Sequence, residues 1–196
     1  MAAGCVIYLR LSQNSLRTIG ADAAVGYNLD NGIPLSIFPI QADKFCFCFC
    51  GLPGRGKTQI ARRLALYLSF FHAVPVETFD SSEYRRKMCS VIDSEWFDPQ
   101  NAVARAERER VNNAVIEHMV EFLNKHSNGI AIMDSTNPTH ERRMKVLKTI
   151  QERTGAKVMF IEVINENTQF LENQCQAAAA TGPDYQGKSS ACSVRL

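Results

Sequence analysis

The chain has 196 residues, 45% of them hydrophobic and 21% charged, which suits one globular domain with a proper core and leaves a second compact domain cramped. A net charge of +2 gives no case for nucleic acid or an anionic membrane as the main partner, whereas a small phosphorylated ligand needs only a few local cations. No apolar run reaches the length of a membrane span and the N-terminus lacks a signal-peptide pattern, so the expected location is cytoplasmic.

Residues 1–44 show no repeat and no obvious chemistry. Val6–Leu11 reads as a short strand, Asn28–Gly32 as a turn, and Pro34 and Pro39 interrupt the stretch after that turn. The segment is expected to be an N-terminal extension that adds an edge strand. Phe45–Cys50 then alternates phenylalanine and cysteine, placing Phe45, Phe47 and Phe49 on one strand face and Cys46, Cys48 and Cys50 on the other. Three thiols on one strand face cannot close a tetrahedral metal site alone, so burial as apolar groups is the favoured reading over metal binding. Cys5, Cys89, Cys175 and Cys192 are scattered, which fits a reducing compartment better than a disulfide framework.

Gly51, Leu52, Pro53, Gly54, Arg55, Gly56, Lys57 and Thr58 come next and satisfy G-x-x-x-x-G-K-[ST], a phosphate-binding loop set between a strand and a helix. Polyphosphate needs several inward-pointing backbone N–H groups, and glycines permit that close approach. The helix N-terminus adds partial positive charge, Lys57 can reach terminal phosphates, and the Thr58 hydroxyl suits Mg²⁺. Ile60, Ala61, Leu64, Ala65 and Leu68 then recur at helical spacing to about Phe71.

Val74–Phe79 reads as a second strand, and the polar start at Asp80 leads to three consecutive cations, Arg85, Arg86 and Lys87. Sequence statistics alone make Arg85 and Arg86 a solvated helix face. Glu95–Asn101 is a loop held to the body by Trp96 and Phe97. Ala102–Lys125 is a long helix with a buried stripe of Val111, Val115, Met119, Phe122 and Leu123, and its first half carries Arg105, Arg108 and Arg110.

Ile130–Met133 is a short apolar run, the pattern of a central strand covered on both faces, and Asp134 closes it. An acid at that end is where a Mg²⁺-binding carboxylate belongs, with a purely structural acid as the alternative. Ser135-Thr136-Asn137 forms a polar turn. Pro138 opens a helix carrying Met144, Leu147 and Ile150 inward and ending by Gly155, and Val158–Ile164 is a further strand. Strands alternating with helices predict an α/β fold, a three-layer P-loop NTPase-type parallel sheet flanked by helices, over residues 45–180. After Ile164 the pattern fails. Gln174–Ala180 can be helical, and residues 181–196 read as an unanchored tail.

Four phrases occur in one order: G-L-P-G-R-G-K-T from Gly51, E-Y-R-R-K from Glu83, D-S-T-N-P-T-H-E-R-R from Asp134, and G-P-D-Y from Gly182. Together they resemble the kinase domain of 6-phosphofructo-2-kinase/fructose-2,6-bisphosphatase. The resemblance runs from about Phe45 to Tyr185, and generic nucleotide kinases share only its first phrase. It implies transfer of a phosphoryl group from ATP, with Mg²⁺, to the 2-hydroxyl of fructose 6-phosphate. By that similarity Gly51–Thr58 hold the ATP phosphates, Lys57 and Asp134 are catalytic, and Thr58 and Asp134 serve the metal. Arg85, Arg108, Thr136 and Arg142 fall where the family contacts the sugar phosphate. Paired N–H donors from several arginines are well suited to a dianionic phosphoryl group.

The chain departs from the family at three positions. Ala179 stands where a lysine helps hold nucleotide and sugar phosphate, Asn165 where a cysteine comes just after the fourth strand, and Pro138 where the turn usually has a threonine. No R-H-G motif occurs, so the bisphosphatase half is not expected, and the kinase half is expected to be incomplete at its C-terminus. The alternatives to the kinase are a family member that binds ATP with little or no turnover, and a P-loop kinase for another small phosphorylated acceptor. Oligomeric state is not readable from these residues.

Overall fold

The computed structural model describes residues 7–12, 43–89, 95–98, 100–165 and 167–181. Five strands, β1 (Ile7–Ser12), β2 (Phe45–Cys50), β3 (Val76–Asp80), β4 (Ile130–Asp134) and β5 (Lys157–Ile164), form one sheet in the order β1-β5-β2-β4-β3. Every neighbouring pair is parallel. The helices are α1 (Lys57–His72), α2 (Ser81–Met88), α3 (Ala102–Lys125), α4 (His140–Thr154) and α5 (Thr168–Thr181), with a 3₁₀ turn at Glu95–Phe97.

The Phe/Cys alternation of β2 sorts the two faces of the sheet as expected. Phe45, Phe47 and Phe49 pack with Ala61 and Leu68 of α1, and with Ile130, Ile132 and Ile161. Cys46, Cys48 and Cys50 pack on the opposite face with Val115, Met119 and Leu123 of α3 and Val146 and Ile150 of α4. Each phenyl ring so buried contributes roughly 1.5–3 kcal/mol. The thiols behave as apolar groups: a hydrogen bond with Cys46 and burial hold Cys48 well above its usual value, and burial pushes Cys50 up to about 11. Helices on both faces of a parallel sheet make the three-layer α/β architecture.

Parallel pairing brings the carboxyl ends of all strands to one edge. Because β2 lies between β4 and β5, the loop after β2 sits beside the end of β4, where Asp134 is, and beside the end of β5. Ligands of open α/β sheets bind at this edge.

The structure shifts several boundaries. The strand expected at Val6–Leu11 is Ile7–Ser12, and it pairs with β5 at the sheet edge. Pro138 precedes α4 without starting it: Thr139 is the N-cap, its hydroxyl accepting from the Arg142 N–H at 3.3 Å, and the helix runs from His140. The last helix is longer than Gln174–Ala180 and starts at Thr168; Leu171 is buried, and the polar residues after it leave little apolar periodicity to read. The expected turn at Asn28–Gly32, the G-P-D-Y phrase and the tail after Thr181 lie outside the described residues. No described helix is long and apolar enough to cross a membrane.

Candidate active site

The loop between β2 and α1 is built on backbone that only glycine adopts easily. Gly51 has φ 122°, and a Cβ there would sit 2.7 Å from the carbonyl oxygen of Val163 in β5, an atom of the sheet that cannot retreat. Gly56, at φ 91°, caps α1 with no side-chain hydrogen bond, so the first-turn N–H groups of the helix are left for an anion. Lys57 is 8% exposed and folds back to donate to the Leu52 carbonyl at 2.7 Å. Burial lowers its ammonium to about 8, against an opposing pull from Asp134. Arg55 Nη1 donates to the Pro53 carbonyl at 3.3 Å, closing the loop on itself.

Asp134 ends β4, and its carboxylate is 5% exposed. One oxygen, Oδ2, is buried with no hydrogen-bond partner. Burial raises the carboxyl above its usual value, opposed by a hydrogen bond with the Thr58 side chain, reinforced by Asp80, and opposed again by Lys57. Asp80 is the register partner of Asp134 on β3 and caps α2 by accepting from the Ser82 N–H at 2.8 Å. An orphaned carboxylate oxygen beside a threonine hydroxyl is a hard oxygen donor set, which fits Mg²⁺ held jointly with nucleotide phosphates.

These groups open onto a cleft of about 770 Å³ between the sheet edge and α2 and α3. Of the residues singled out from the sequence, Pro53, Gly54, Lys57, Thr58, Arg85, Arg108, Asp134, Thr136 and Arg142 all line it. Gly51, Leu52, Arg55 and Gly56 shape the loop from behind, and the Leu52 side chain points out, 48% exposed. The arginines come from three elements. The Arg85 guanidinium lies 5.3 Å from the Trp96 ring centroid and 5.2 Å from that of Phe97. Arg108 lies 5.6 Å from Trp96, and it donates to the Trp96 carbonyl and to the Asp98 carbonyl at 3.1 Å. Arg142 donates through Nε to Asn137 Oδ1 at 3.2 Å, and burial lowers its guanidinium while Glu109 opposes the shift.

So Arg85 is not a solvated face: it is stacked between rings and turned into the cleft. Trp96 is buried and donates its indole N–H to Glu107 at 3.0 Å, which fastens the 3₁₀ turn to α3. Two residues in or beside the cleft carry weaker sequence signals. Arg105 lines it one turn before Arg108, and their i, i+3 spacing is the readable clue. Asn137 is fully buried behind it and gives only a turn signal.

The 6-phosphofructo-2-kinase family model matches residues 36–195. The rat protein 6-phosphofructo-2-kinase/fructose-2,6-bisphosphatase 1 is 33% identical over 135 residues, covering 69% of this chain and 28% of its own length. A Saccharomyces cerevisiae protein named fructose-2,6-bisphosphatase is 32% identical over 145 residues, covering 73% of this chain and 32% of its own. The chain thus spans about a third or less of the curated relatives it matches. Among solved structures, Chaetomium thermophilum Kti12 in complex with ADP-AlF3 has a TM-score of 0.59 at 17% identity, over 76% of this chain and 77% of that one. A kinase-like protein from Chloroflexus aurantiacus has a TM-score of 0.58 at 14% identity, over 79% and 78%. Those two likenesses concern the fold alone, a parallel sheet flanked by helices. The long sequence match, seated on this cleft, makes the chain a member of the 6-phosphofructo-2-kinase family.

Proposed function

We propose that the chain transfers the terminal phosphoryl group of ATP to the 2-hydroxyl of fructose 6-phosphate, giving fructose 2,6-bisphosphate. The observation that carries this reading is the composition of the cleft. Its lining combines Gly54, Lys57 and Thr58 of the loop and first turn of α1 and Asp134 of β4 with Arg85, Arg105, Arg108 and Arg142 from α2, α3 and α4. The first group suits a nucleotide polyphosphate and the four arginines a second phosphorylated molecule, so the acceptor is itself anionic.

Each residue then has a physical role. The loop amides and Lys57 neutralise the phosphates and fix the terminal phosphorus. Thr58 and Asp134 would hold Mg²⁺, which supplies charge neutralisation across the phosphates when bound. The arginines and Thr136 orient the sugar phosphate so that its hydroxyl faces that phosphorus. As the new P–O bond forms and the bond to ADP breaks, the hydroxyl proton passes to Asp134, whose burial-raised carboxyl is a better proton acceptor than a solvated one. Positioning two anions in one cleft supplies most of the acceleration. The cytoplasm is the proposed location.

Incubation of the purified protein with MgATP and fructose 6-phosphate should yield an acid-labile bisphosphate, and product no greater than that of a Lys57→Ala control would refute the reading. A weakly active, ATP-binding member is the second reading. It is favoured by Ala179, which falls in α5 where the resemblance implies a lysine. A relative matched over much of this region is named only as a bisphosphatase, so family membership alone does not decide turnover. Nucleotide binding without turnover, rescued by Ala179→Lys, would select it.

A further inference from the structure

We propose that Asn137 is a positioning residue that clasps the phosphate-loop side of the cleft to its acceptor side. Its side chain is fully buried and its backbone is left-handed, at φ 38°, a conformation that asparagine tolerates better than most residues. Its amide is used at both ends. Nδ2 donates to the Phe49 carbonyl at 2.8 Å, one residue before β2 gives way to the loop. Oδ1 accepts from Arg142 Nε at 3.2 Å. Its own carbonyl accepts from Arg143 Nη1 at 2.9 Å, and the carbonyl of Thr136 accepts from the Gly51 N–H at 3.1 Å.

These contacts span four places: the end of β2, the first residue of the phosphate loop, the turn after Asp134, and the start of α4. One planar amide therefore fixes how far the loop stands from Asp134 and from Arg142. Among the described residues, the terminal nitrogens of Arg142 make no hydrogen bond, so the clasp seats the guanidinium by Nε and leaves both terminal groups to an anion. Asn137 lies behind the cleft wall and acts on substrates only through its neighbours.

The claim rests on the kinase reading only for the identity of the acceptor, and two substitutions separate the two ends of the amide. Asn137→Gly keeps the left-handed backbone and deletes both contacts. The Michaelis constant for fructose 6-phosphate should rise about tenfold as Arg142 loses its seat. Turnover should fall about a hundredfold as the two halves lose their mutual register. Affinity for ADP should stay within about twofold, because the loop amides and Lys57 are untouched. Asn137→Asp keeps an oxygen for Arg142 but sets a second oxygen against the Phe49 carbonyl, so turnover should fall while the Michaelis constant stays near that of the unmodified protein.

The inference is overturned if Asn137→Gly loses ADP affinity and thermal stability together with acceptor affinity, the mark of a merely structural residue. It is also overturned if both variants raise the Michaelis constant equally, or if neither changes. Should the unmodified protein make no product, the kinase reading fails by itself. The clasp is then read from calorimetric binding of inorganic phosphate to the MgADP-loaded protein: weakening in Asn137→Gly but not in Asn137→Asp supports it, and equal binding in all three proteins refutes it.

Discussion

Raising the pH from about 7 to about 9 titrates Lys57 in the free protein, where burial has brought its ammonium from 10.5 down to about 8. A bound polyphosphate reverses the cause, since the charge then has anionic oxygens around it in place of a low-dielectric wall, and the proton is held through alkaline pH. The free protein at about pH 9 has only about a tenth of its Lys57 protonated, so binding must recruit a proton and ATP affinity falls about tenfold, or about 1.4 kcal/mol, relative to pH 7. Calorimetry in buffers of different ionisation heat reads this directly: about half a proton is taken up per ATP at about pH 8, and close to one at about pH 9. Lys57→Met is the control, with weaker binding and no such slope. Folding stability runs the other way. The folded value lies below the unfolded one, so between about 8 and 10.5 the unfolded chain holds the extra proton and stability rises with pH; the penalty that buried Lys57 places on folding is full below about 8 and vanishes above 10.5. Flat ATP affinity across this range, or the same slope in Lys57→Met, would refute the assignment of the buried charge.

Asp134→Asn should remove product formation and yet raise the melting temperature of the ligand-free protein. It relieves a buried, unpartnered carboxylate oxygen worth about 1 kcal/mol, or about 2–4 °C for a chain of this size; a lower melting temperature in scanning calorimetry would mean that Lys57 and Thr58 more than offset the burial. Gly51→Ala should destabilise the fold by about 1–3 kcal/mol, because the new Cβ meets the Val163 carbonyl at 2.7 Å on a backbone at φ 122°. Gly56→Ala meets nothing within 4 Å and bears only the strain of its dihedral, about 1 kcal/mol, so equal melting temperatures for the two variants would count against the close approach of loop and sheet.

The fold is legible in the chain because it rests on periodic and local signals. The Phe/Cys alternation assigns both faces of β2, and the apolar run ending in Asp134 identifies a strand covered on both sides. α5 reads short because the polar stretch after buried Leu171 carries no apolar period. Within the site, the loop, Asp134 and the arginines are recoverable as residue types because anion binding draws on so few of them, and the ordered phrases supply their grouping. Residue types do not disclose the use each side chain makes of its hydrogen bonds. Arg108, expected at a sugar phosphate, spends donors on the carbonyls of Trp96 and Asp98 in the ligand-free fold. If Arg108 serves the acceptor phosphate as proposed, it must exchange those carbonyls for phosphate oxygens, or the 3₁₀ turn that Trp96 fastens to α3 must move. Asn137 shows the same limit more sharply. Its partner Phe49 is 88 residues away and offers only a backbone carbonyl, which leaves no trace in the type of residue at position 49. A side chain that reads as an ordinary turn asparagine becomes informative only when the sheet has brought β2 and β4 together. On the proposed reading the cleft holds two anion sites kept in register by one buried amide, a relation that the residue types of the D-S-T-N-P-T phrase do not disclose and the contacts of the fold do.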